Sequence, residues 1–259
     1  MKKLLIYTVA YGEAYFNEAL INAHSLRTIG KYSGDIVIFT NKIYNADPYN
    51  SNIIIIVSNK LTSIQVAAAF RLRIFQEFPY WNYYDTFMYL DTDIVTVNTI
   101  DLDYIYSICD LEKVNVYGYS NRDQNAIGQA GSVTNDPKIL KHKSICSGIL
   151  IFTKELKETI NEVYRYWSQQ KDTSVGWEQP AICYVLIKNN KVCVNLDSII
   201  FEERIKYPCH LKSIIKAENG NINIMFHHFN GLNIKVNDNE RPERMRQRLK
   251  EYSESMKSH

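Results

Sequence analysis

Short apolar runs are separated by longer amphipathic stretches along the first part of the chain. These runs are rich in β-branched and aromatic residues and are bounded by polar positions, a pattern typical of strands. The one at 52–57 is apolar almost throughout, which predicts a strand buried on both faces, as in a parallel sheet. The four predicted strands are Leu4–Ala10, Asp35–Thr40, 52–57 and Thr86–Leu90.

Two stretches between these strands have helical spacing of their apolar positions. The first, 13–29, ends next to Gly30, and the second, 64–78, ends before Pro79. Both residues are common helix stops. The order β-α-β-β-α-β predicts an α/β fold of Rossmann-like character, with a mixed, mostly parallel sheet flanked by helices.

The second half of the chain is less regular. Its charged end, 237–259, predicts an exposed amphipathic helix with a frayed tail. The absence of an internal repeat or a low-complexity linker predicts a single domain, 1–236, followed by that tail. The other predicted elements are strands at 114–119, 145–152 and 222–229, a loop at 121–137, and helices at 154–170 and 177–188.

Composition narrows the classes of function. The chain has 259 residues with a formal net charge of +2, whereas dedicated nucleic-acid binders carry a strong basic excess. Its five cysteines form no C-x-x-C pair, which makes zinc sites and disulfides improbable. No apolar run approaches the roughly 20 residues that span a bilayer. The expected location is therefore cytoplasmic, with no membrane span; a homodimer is left open.

Two aspartates flank one threonine directly after the predicted strand Thr86–Leu90. In α/β sheets, ligands bind beyond the carboxyl ends of the strands, which is where Asp91, Thr92 and Asp93 lie. Carboxylates are preferred ligands of Mg²⁺ and Mn²⁺, and such an ion neutralises a nucleotide diphosphate. The pair therefore predicts a cation site for a diphosphate. The alternative is a turn or helix cap, for which aspartate is also common.

A histidine pair near the end of the chain supplies a candidate third ligand. Adjacent residues on a strand face opposite sides, so only one of His227 and His228 is expected to face a metal. The alternative is a buried, hydrogen-bonded histidine. Gly231 allows close approach of the backbone to a phosphate, and Lys235 offers a positive charge to it.

An ordered set of short motifs extends over most of the chain. Its segments are Thr8 with Tyr11 and Tyr15, Arg71-Leu72, Asp91-Thr92-Asp93, Ser147-Gly148, Glu178-Gln179 and His228-Phe229-x-Gly231. This set resembles glycosyltransferase family 8, the glycogenin and bacterial galactosyltransferase group, whose members typically show Asp-x-Asp, Asn-Ser-Gly, Asp-Gln and His-Phe-x-Gly-x-x-Lys in this order.

The resemblance implies a GT-A fold, a UDP-sugar donor, Mn²⁺ (or Mg²⁺) and transfer with retention to a glycan, protein or small-molecule acceptor. It also implies that Asp91, Asp93 and His228 bind the metal. Tyr11 or Tyr15 would lie on the uracil. The donor-binding residues it implies are Thr8, Tyr11, Tyr15, Arg71, Asp91, Thr92, Asp93, Ser147, Gly148, Gly231 and Lys235.

The chain departs from the family pattern at three positions. Cys146 stands where the family usually has asparagine, Glu178 replaces the usual aspartate, and Lys235 lies one residue late. These positions touch the sugar, acceptor and phosphate contacts. The resemblance therefore leaves the identities of sugar and acceptor open.

Glu178 and Gln179 are the candidate catalytic residues. They are expected to bind sugar hydroxyls or to stabilise positive charge at the anomeric carbon. The alternative for Glu178 is an acid in a first helical turn, favoured by the helix dipole. Arg71 is expected near the donor sugar or Asp91, or else in an ordinary surface ion pair. Trp177 is a candidate sugar-stacking residue or a core tryptophan.

Two other functions fit the same residues. A nucleotidyltransferase that makes the sugar donor would also use a metal and paired acids. It usually needs a glycine-rich basic loop after the first strand, which Tyr11-Gly12-Glu13 fits poorly. A non-catalytic module that retains the sugar-nucleotide cleft is the second alternative.

Overall fold

The computed structural model describes residues 3–110, 113–125, 130–170, 177–202, 224–229 and 240–255. The strands are β1 Leu4–Ala10, β2 Asp35–Thr40, β3 Ile54–Val57, β4 Thr86–Leu90, β5 Ile94–Thr96, β6 Val116–Asn125, β7 Lys143–Thr153, β8 Val192–Val194, β9 Ile200–Glu202 and β10 Phe226–His228. The α-helices are α1 Glu13–Thr28, α2 Ile64–Phe70, α3 Ile74–Glu77, α4 Leu102–Ile108, α5 Pro137–Leu140, α6 Lys157–Gln170, α7 Gln179–Lys188 and α8 Glu240–Ser255.

Seven strands form the main sheet in the order β3-β2-β1-β4-β7-β6-β8. Strand β7 runs antiparallel to β4 and β6, and the other neighbouring pairs are parallel. The predicted mixed, mostly parallel α/β sheet is thus confirmed. The chain proceeds from β1 to β2 and β3, then returns to β4 on the other side of β1. This reversal creates a crevice at the carboxyl ends of β1 and β4.

Both faces of the sheet are covered by helices, because its central strands are apolar on both sides. In β1, Leu5 and Tyr7 belong to one core, whereas Leu4 and Ile6 belong to the other. Helices α2, α3, α6 and α7 cover the first face, and α1 and α4 cover the second. Burial of these two apolar layers is the main force that stabilises the fold.

The strand predicted at 52–57 differs from expectation. Strand β3 starts at Ile54, and the prediction that it is buried on both faces is wrong. Ile54 is 41% exposed and Val57 is 52% exposed. The reason is that β3 is an edge strand of the sheet, paired only with β2 among the described strands, and neighbouring side chains shield it only partly from solvent.

The helix predicted at 64–78 is interrupted by a 3₁₀ turn at Arg71–Arg73, which separates α2 from α3. Two side chains bond to backbone carbonyls there. Nε of Arg71 donates to the carbonyl of Ala68 at 2.7 Å, and the hydroxyl of Tyr7 donates to the carbonyl of Arg71 at 2.6 Å. These bonds compete with regular helical pairing and fix the direction of the Arg71 side chain.

Several other boundaries differ from the predicted ones. Strand β6 continues to Asn125, so the loop predicted at 121–137 is wrong over its first residues. The helix predicted at 154–170 opens with a 3₁₀ turn at Lys154–Leu156, and the one at 177–188 begins at Gln179. The strand predicted at 222–229 is limited to β10 in the described residues.

A second, three-stranded sheet has the order β5-β10-β9. Strand β10 is antiparallel to β5, which follows directly after Asp93, and parallel to β9. This pairing places the end of β10 beside the turn at 91–93, called the acidic turn below. Strand β10, although late in the chain, is thereby brought to the carboxyl edge of the main sheet.

The C-terminal helix α8 packs against α1 and the second sheet. Met245 and Leu249 of α8 are buried with Ile21 of α1, Val95 and Phe229. The predicted helix is therefore present, but its apolar face is covered rather than exposed. The division of the chain at 236 stays a prediction.

No helix among the described residues is both long enough and apolar enough to cross a bilayer.

Candidate active site at the carboxyl ends of strands β1 and β4

The turn that carries the two aspartates is held from two sides. The amide of Asp91 donates to the carbonyl of Gly148 in β7 at 2.8 Å, and the side-chain amide of Asn22 in α1 donates to the carbonyl of Asp91 at 3.1 Å. Ile94 closes the turn through its amide, which donates to the same carbonyl at 3.3 Å. Both carboxylates are therefore presented by a backbone fixed between β7 and α1.

His228 lies beside this turn because β10 pairs with β5. It stands opposite Ile94, and its Nε2 is 3.3 Å from Oδ1 of Asp93. One ligand atom each from Asp91, Asp93 and His228 lie within 4.8 Å of one another. His227 points to the other side, where its ring stacks on Phe229 with 4.2 Å between centroids. The strand alternation thus turns one histidine of the pair, His228, towards the aspartates.

A second layer of side chains supports the His228 ring. The hydroxyl of Tyr119 is 2.5 Å from Nδ1 of His228, and Sγ of Cys146 is 2.8 Å from the same hydroxyl. At position 148, a Cβ would lie 2.7 Å from Cε1 of His228, closer than real contacts allow. Gly148 therefore makes room for the imidazole.

Arg71 lies between Asp91 and Glu178 and contacts both carboxylates. Its Nη2 is 3.0 Å from Oδ1 of Asp91 and 3.4 Å from Oε1 of Glu178, and its Nη1 donates to the carbonyl of Ser147 at 2.7 Å. The guanidinium lies over the ring of Tyr89, whose hydroxyl donates to Asp91 at 2.6 Å. The Arg71 side chain is only 7% exposed. The alternative of an ordinary surface ion pair is therefore wrong.

Glu178 and Gln179 stand at the start of α7, facing β7. The hydroxyl of Ser147 lies within hydrogen-bonding distance of Oε1 of Glu178, at 3.2 Å, and of Oε1 of Gln179, and its one hydrogen is shared between them. Gln179 further accepts from the amide of Ser147 at 3.0 Å and donates to the carbonyl of Ile145. Glu178 is the N-cap residue of α7 and makes no side-chain cap bond, so the alternative of an acid favoured by the helix dipole stays open. These contacts join the start of α7 to the edge of the site.

Two charged residues that the sequence analysis did not identify lie beside Asp93, on the side of the site that faces α1 and α8. Arg241, on α8, contacts Glu18, on α1, through Nε at 2.5 Å and Nη2 at 2.9 Å, and it contacts Asp93 through Nη1 at 3.1 Å. The hydroxyl of Thr92 donates to Glu18 at 2.8 Å. A charged residue among the apolar positions of α1 was a signal for Glu18. Arg241 had no local signal, since it lies 148 positions from Asp93.

Burial and charge act in opposite directions on these acids. Burial raises the pKa of Glu18 to about 7, although Arg241 lowers it. Burial would also raise the pKa of Asp93, but the positive charges of His228 and Arg241 outweigh it and hold that pKa below its usual value. Asp93 is thus kept ionised at neutral pH, as a cation ligand requires.

A cavity of about 170 Å³ opens above this cluster. Tyr11 is held at its edge by a hydrogen bond from its hydroxyl to the carbonyl of Thr62 at 2.9 Å, and Tyr15 lies under the guanidinium of Arg241 at 5.3 Å. The cavity combines aromatic walls with a charged floor. Its lining comprises Val9, Tyr11, Tyr15, Ile64, Ala67, Ala68, Arg71, Tyr89, Asp91, Thr92, Asp93, Trp177 and Arg241.

The remaining predicted donor-binding residues either do not line the cavity or lie outside the described residues. Thr8 is buried in β1, where its hydroxyl has no hydrogen-bond partner in the described part of the chain. Ser147 contacts Glu178 and Gly148 lies against His228, and neither is among the residues that line the cavity. The predictions for Gly231 and Lys235 fall outside the described residues.

The charges of the site suit a divalent cation. Among the described residues of the cluster, four carboxyl groups face two guanidinium groups, so oxygen ligands outnumber the fixed positive charges. Carboxylate oxygens are the ligands that Mg²⁺ and Mn²⁺ prefer, and an imidazole nitrogen shifts the preference towards Mn²⁺. The acids are Glu18, Asp91, Asp93 and Glu178, and the bases are Arg71 and Arg241.

Comparison with known proteins gives similarity at the level of structure. No family model matches the chain, and no curated protein matches it in sequence. The galactosyltransferase LgtC, solved with donor and acceptor sugar analogues, has a TM-score of 0.64 and 15% identity, with 94% of each chain covered. A glycosyltransferase involved in glycosylation of the major capsid of PBCV-1 has a TM-score of 0.58 and 14% identity, covering 94% of this chain and 99% of that one.

The bifunctional glycosyltransferase WbbM is also similar, with a TM-score of 0.60 and 14% identity over 90% of this chain. The match covers 46% of the WbbM chain, so this chain spans less than half of that protein. Identities of this size establish the fold and nothing finer. The chain has the α/β architecture of the GT-A glycosyltransferases.

Proposed function

We propose that this protein is a metal-dependent glycosyltransferase of family 8 that transfers a hexose from a UDP-sugar to a glycan, protein or small-molecule acceptor, with retention. One observation carries the proposal. The ligand atoms of Asp91, Asp93 and His228 converge within 4.8 Å at the carboxyl end of β4, beside a cavity. In a sheet of this topology, that edge is where a nucleotide is expected.

The metal is proposed to be Mn²⁺ or Mg²⁺, held by one oxygen of each aspartate and by Nε2 of His228. When bound, the cation takes up negative charge that grows on the departing diphosphate. The protein's part is to keep the ligands in place. Arg71 and Tyr89 orient Asp91, and Arg241 orients Asp93.

The donor is proposed to lie along the cavity, with its uracil on Tyr11 or Tyr15. An aromatic ring offers a nucleobase a stacking surface that does not depend on hydrogen-bond geometry. Thr92 is tied to Glu18 and maintains the shape of the acidic turn. Thr8, Ser147 and Gly148 are proposed to support the donor side of the site, and Gly231 and Lys235 stay predictions for its phosphates.

Glu178 is proposed to stabilise the positive charge that develops at the anomeric carbon. One of its oxygens already contacts Arg71 at 3.4 Å and the hydroxyl of Ser147 at 3.2 Å, so it is better suited to electrostatic support than to covalent attack. We therefore favour a front-face mechanism in which the acceptor hydroxyl attacks from the side that the diphosphate leaves. Gln179, predicted as a catalytic partner, is proposed to hold Ser147 in position, and the hydroxyl of Ser147 in turn contacts Glu178.

The test is a thermal-shift panel of UDP-hexoses with and without Mn²⁺, followed by assays of donor hydrolysis. A ligand present at about 100 times its Kd adds about 2.7 kcal/mol to the free energy of unfolding, which is readily seen. Asp93→Asn should abolish the Mn²⁺-dependent shift and the hydrolysis. The matched control, Asp103→Asn, makes the same change at an exposed position and should behave as the wild type.

Three results would contradict the proposal in different ways. The absence of any Mn²⁺-dependent shift with every UDP-hexose would exclude the proposed donor. Donor binding without hydrolysis or transfer would favour the non-catalytic binding module. Release of pyrophosphate from a nucleoside triphosphate and a sugar phosphate would favour the nucleotidyltransferase.

A further inference from the structure

The C-terminal helix supplies one side chain to the wall of the cavity. Arg241, in the first turn of α8, lines the same space as Asp91 and Asp93. Its side chain is 18% exposed, so it is largely enclosed but still accessible from the cavity. No other described residue of α8 lines this cavity.

Arg241 is held rigidly from behind. Its Nε and Nη2 meet both oxygens of Glu18, whose side chain is 2% exposed, in a two-pronged contact. Paired contacts of this kind restrict the guanidinium in direction as well as position. Glu18 is itself fixed by the hydroxyl of Thr92. The arginine is therefore oriented before any ligand arrives.

The guanidinium of Arg241 can still donate a hydrogen bond to an oxygen atom of a bound ligand. Its two contacts with Glu18 and one with Asp93 use three of the five N–H bonds of an arginine. Among the described contacts, the hydroxyl of Tyr15 also hydrogen-bonds the guanidinium, which leaves at least one N–H bond that can donate to a bound oxygen. Because Nη1 is 3.1 Å from Asp93, an oxygen bound to a cation at Asp93 would lie close to these donors. Arginine is well suited to phosphate oxygens.

We propose that Arg241 is a donor-binding residue that contacts the diphosphate directly, which makes α8 part of the donor site. This inference rests on the proposed function, because it needs a nucleoside diphosphate at the Asp91–Asp93 turn. It assigns to the C-terminal helix the cationic contact that the leaving diphosphate needs. The same contact would stabilise the diphosphate as the glycosidic bond breaks.

The competing role is purely structural, in which Arg241 only attaches α8 to α1. Helix α8 is already anchored by the buried side chains of Met245 and Leu249. Removal of the arginine alone also leaves Glu18 buried and unpaired, which is destabilising for a reason unrelated to the donor. A useful experiment must therefore separate folding from binding.

The experiment measures the affinity for UDP by calorimetry at saturating Mn²⁺ and, separately, the affinity for Mn²⁺ alone from the electron paramagnetic resonance of the free ion. The variants are Arg241→Gln and the double variant Glu18→Gln with Arg241→Gln, which removes both charges together. Lys250→Gln is the control, since it removes one positive charge from an exposed position of the same helix.

Both Arg241 variants should lose about tenfold to a hundredfold in affinity for UDP, the range for a lost charge-assisted hydrogen bond. Their affinity for Mn²⁺ alone should change much less, and Lys250→Gln should change neither. The double variant keeps the inference testable if Arg241→Gln does not fold. Arg241→Lys should recover part of the affinity for UDP, because lysine restores the positive charge but lacks the planar set of N–H donors of a guanidinium.

Three outcomes would overturn the inference. Wild-type affinity for UDP in both Arg241 variants would leave the proposed function intact and show that Arg241 is structural. Equal losses of affinity for UDP and for Mn²⁺ would show that it acts through Asp93. If the wild type itself failed to bind UDP with Mn²⁺, the proposed function would fail and this inference with it.

Discussion

The hydroxyl of Tyr119 lies 2.5 Å from Nδ1 of His228, while Nε2 of the same ring faces Asp93 at 3.3 Å. A cation bound at the aspartates would replace the proton on Nε2, and with Nδ1–H donating to the tyrosine oxygen the Nε2 lone pair would face that cation. Partners of this kind set the tautomer and the orientation of metal-binding histidines. The relationship connects β6 to the acidic turn and suggests the first of three predictions.

Replacement of Tyr119 by phenylalanine should lower the affinity for Mn²⁺ by about tenfold, because loss of an outer hydrogen bond typically costs 10–100-fold. Calorimetry with Mn²⁺ and UDP measures the effect. Tyr117→Phe is the matched control: it makes the same change in the same strand, at a hydroxyl that bonds instead to the carbonyl of Asp110. Equal affinities in the two variants would contradict the proposed role of Tyr119.

Gly148→Ala should displace the His228 ring, since the added methyl group would lie 2.7 Å from Cε1. Overpacking of this kind costs about 1–3 kcal/mol in the free energy of unfolding. We expect an additional loss of Mn²⁺ affinity of at least about tenfold, because a displaced imidazole no longer faces the aspartates. Urea unfolding and Mn²⁺ titration measure the two effects separately.

Gly30→Ala is the control for this prediction. Its methyl group would also be crowded, at 2.8 Å from the carbonyl oxygen of Leu26, but away from His228. It should lower stability and leave the affinity for Mn²⁺ unchanged. A similar loss of Mn²⁺ affinity in both variants would mean that the loss at Gly148 reflects general destabilisation.

Arg71→Gln should destabilise the protein by about 3 kcal/mol, because it leaves two carboxylates without their shared cation in a largely buried place. These are Asp91 and Glu178, at 3.0 and 3.4 Å from Nη2. Arg165→Gln, at an exposed position of α6, should change stability by no more than about 0.5 kcal/mol. Urea unfolding at neutral pH measures the stability of both variants. Equal midpoints would show that the contacts of Arg71 with the two carboxylates do not stabilise the protein.

Local sequence patterns were sufficient for the central strands. The bounds of β1, β2 and β4 agree with those predicted, because alternation and β-branching act over a few residues. The same patterns placed Asp91 and Asp93 directly after β4. They failed at β3 and at Arg71–Arg73, since edge position and side-chain bonds to the helix backbone depend on neighbours that are distant in sequence.

The sequence by itself determined the fold class, the position of the two aspartates after β4 and the expectation that only one of His227 and His228 faces them, because these follow from patterns over a few residues. Only the tertiary structure decided which side chains orient those ligands. Tyr119 reaches His228 across 109 positions, and Arg241 reaches Asp93 across 148. Contacts over such separations arise from the packing of whole strands and helices, which leaves no periodic trace in the residues that meet.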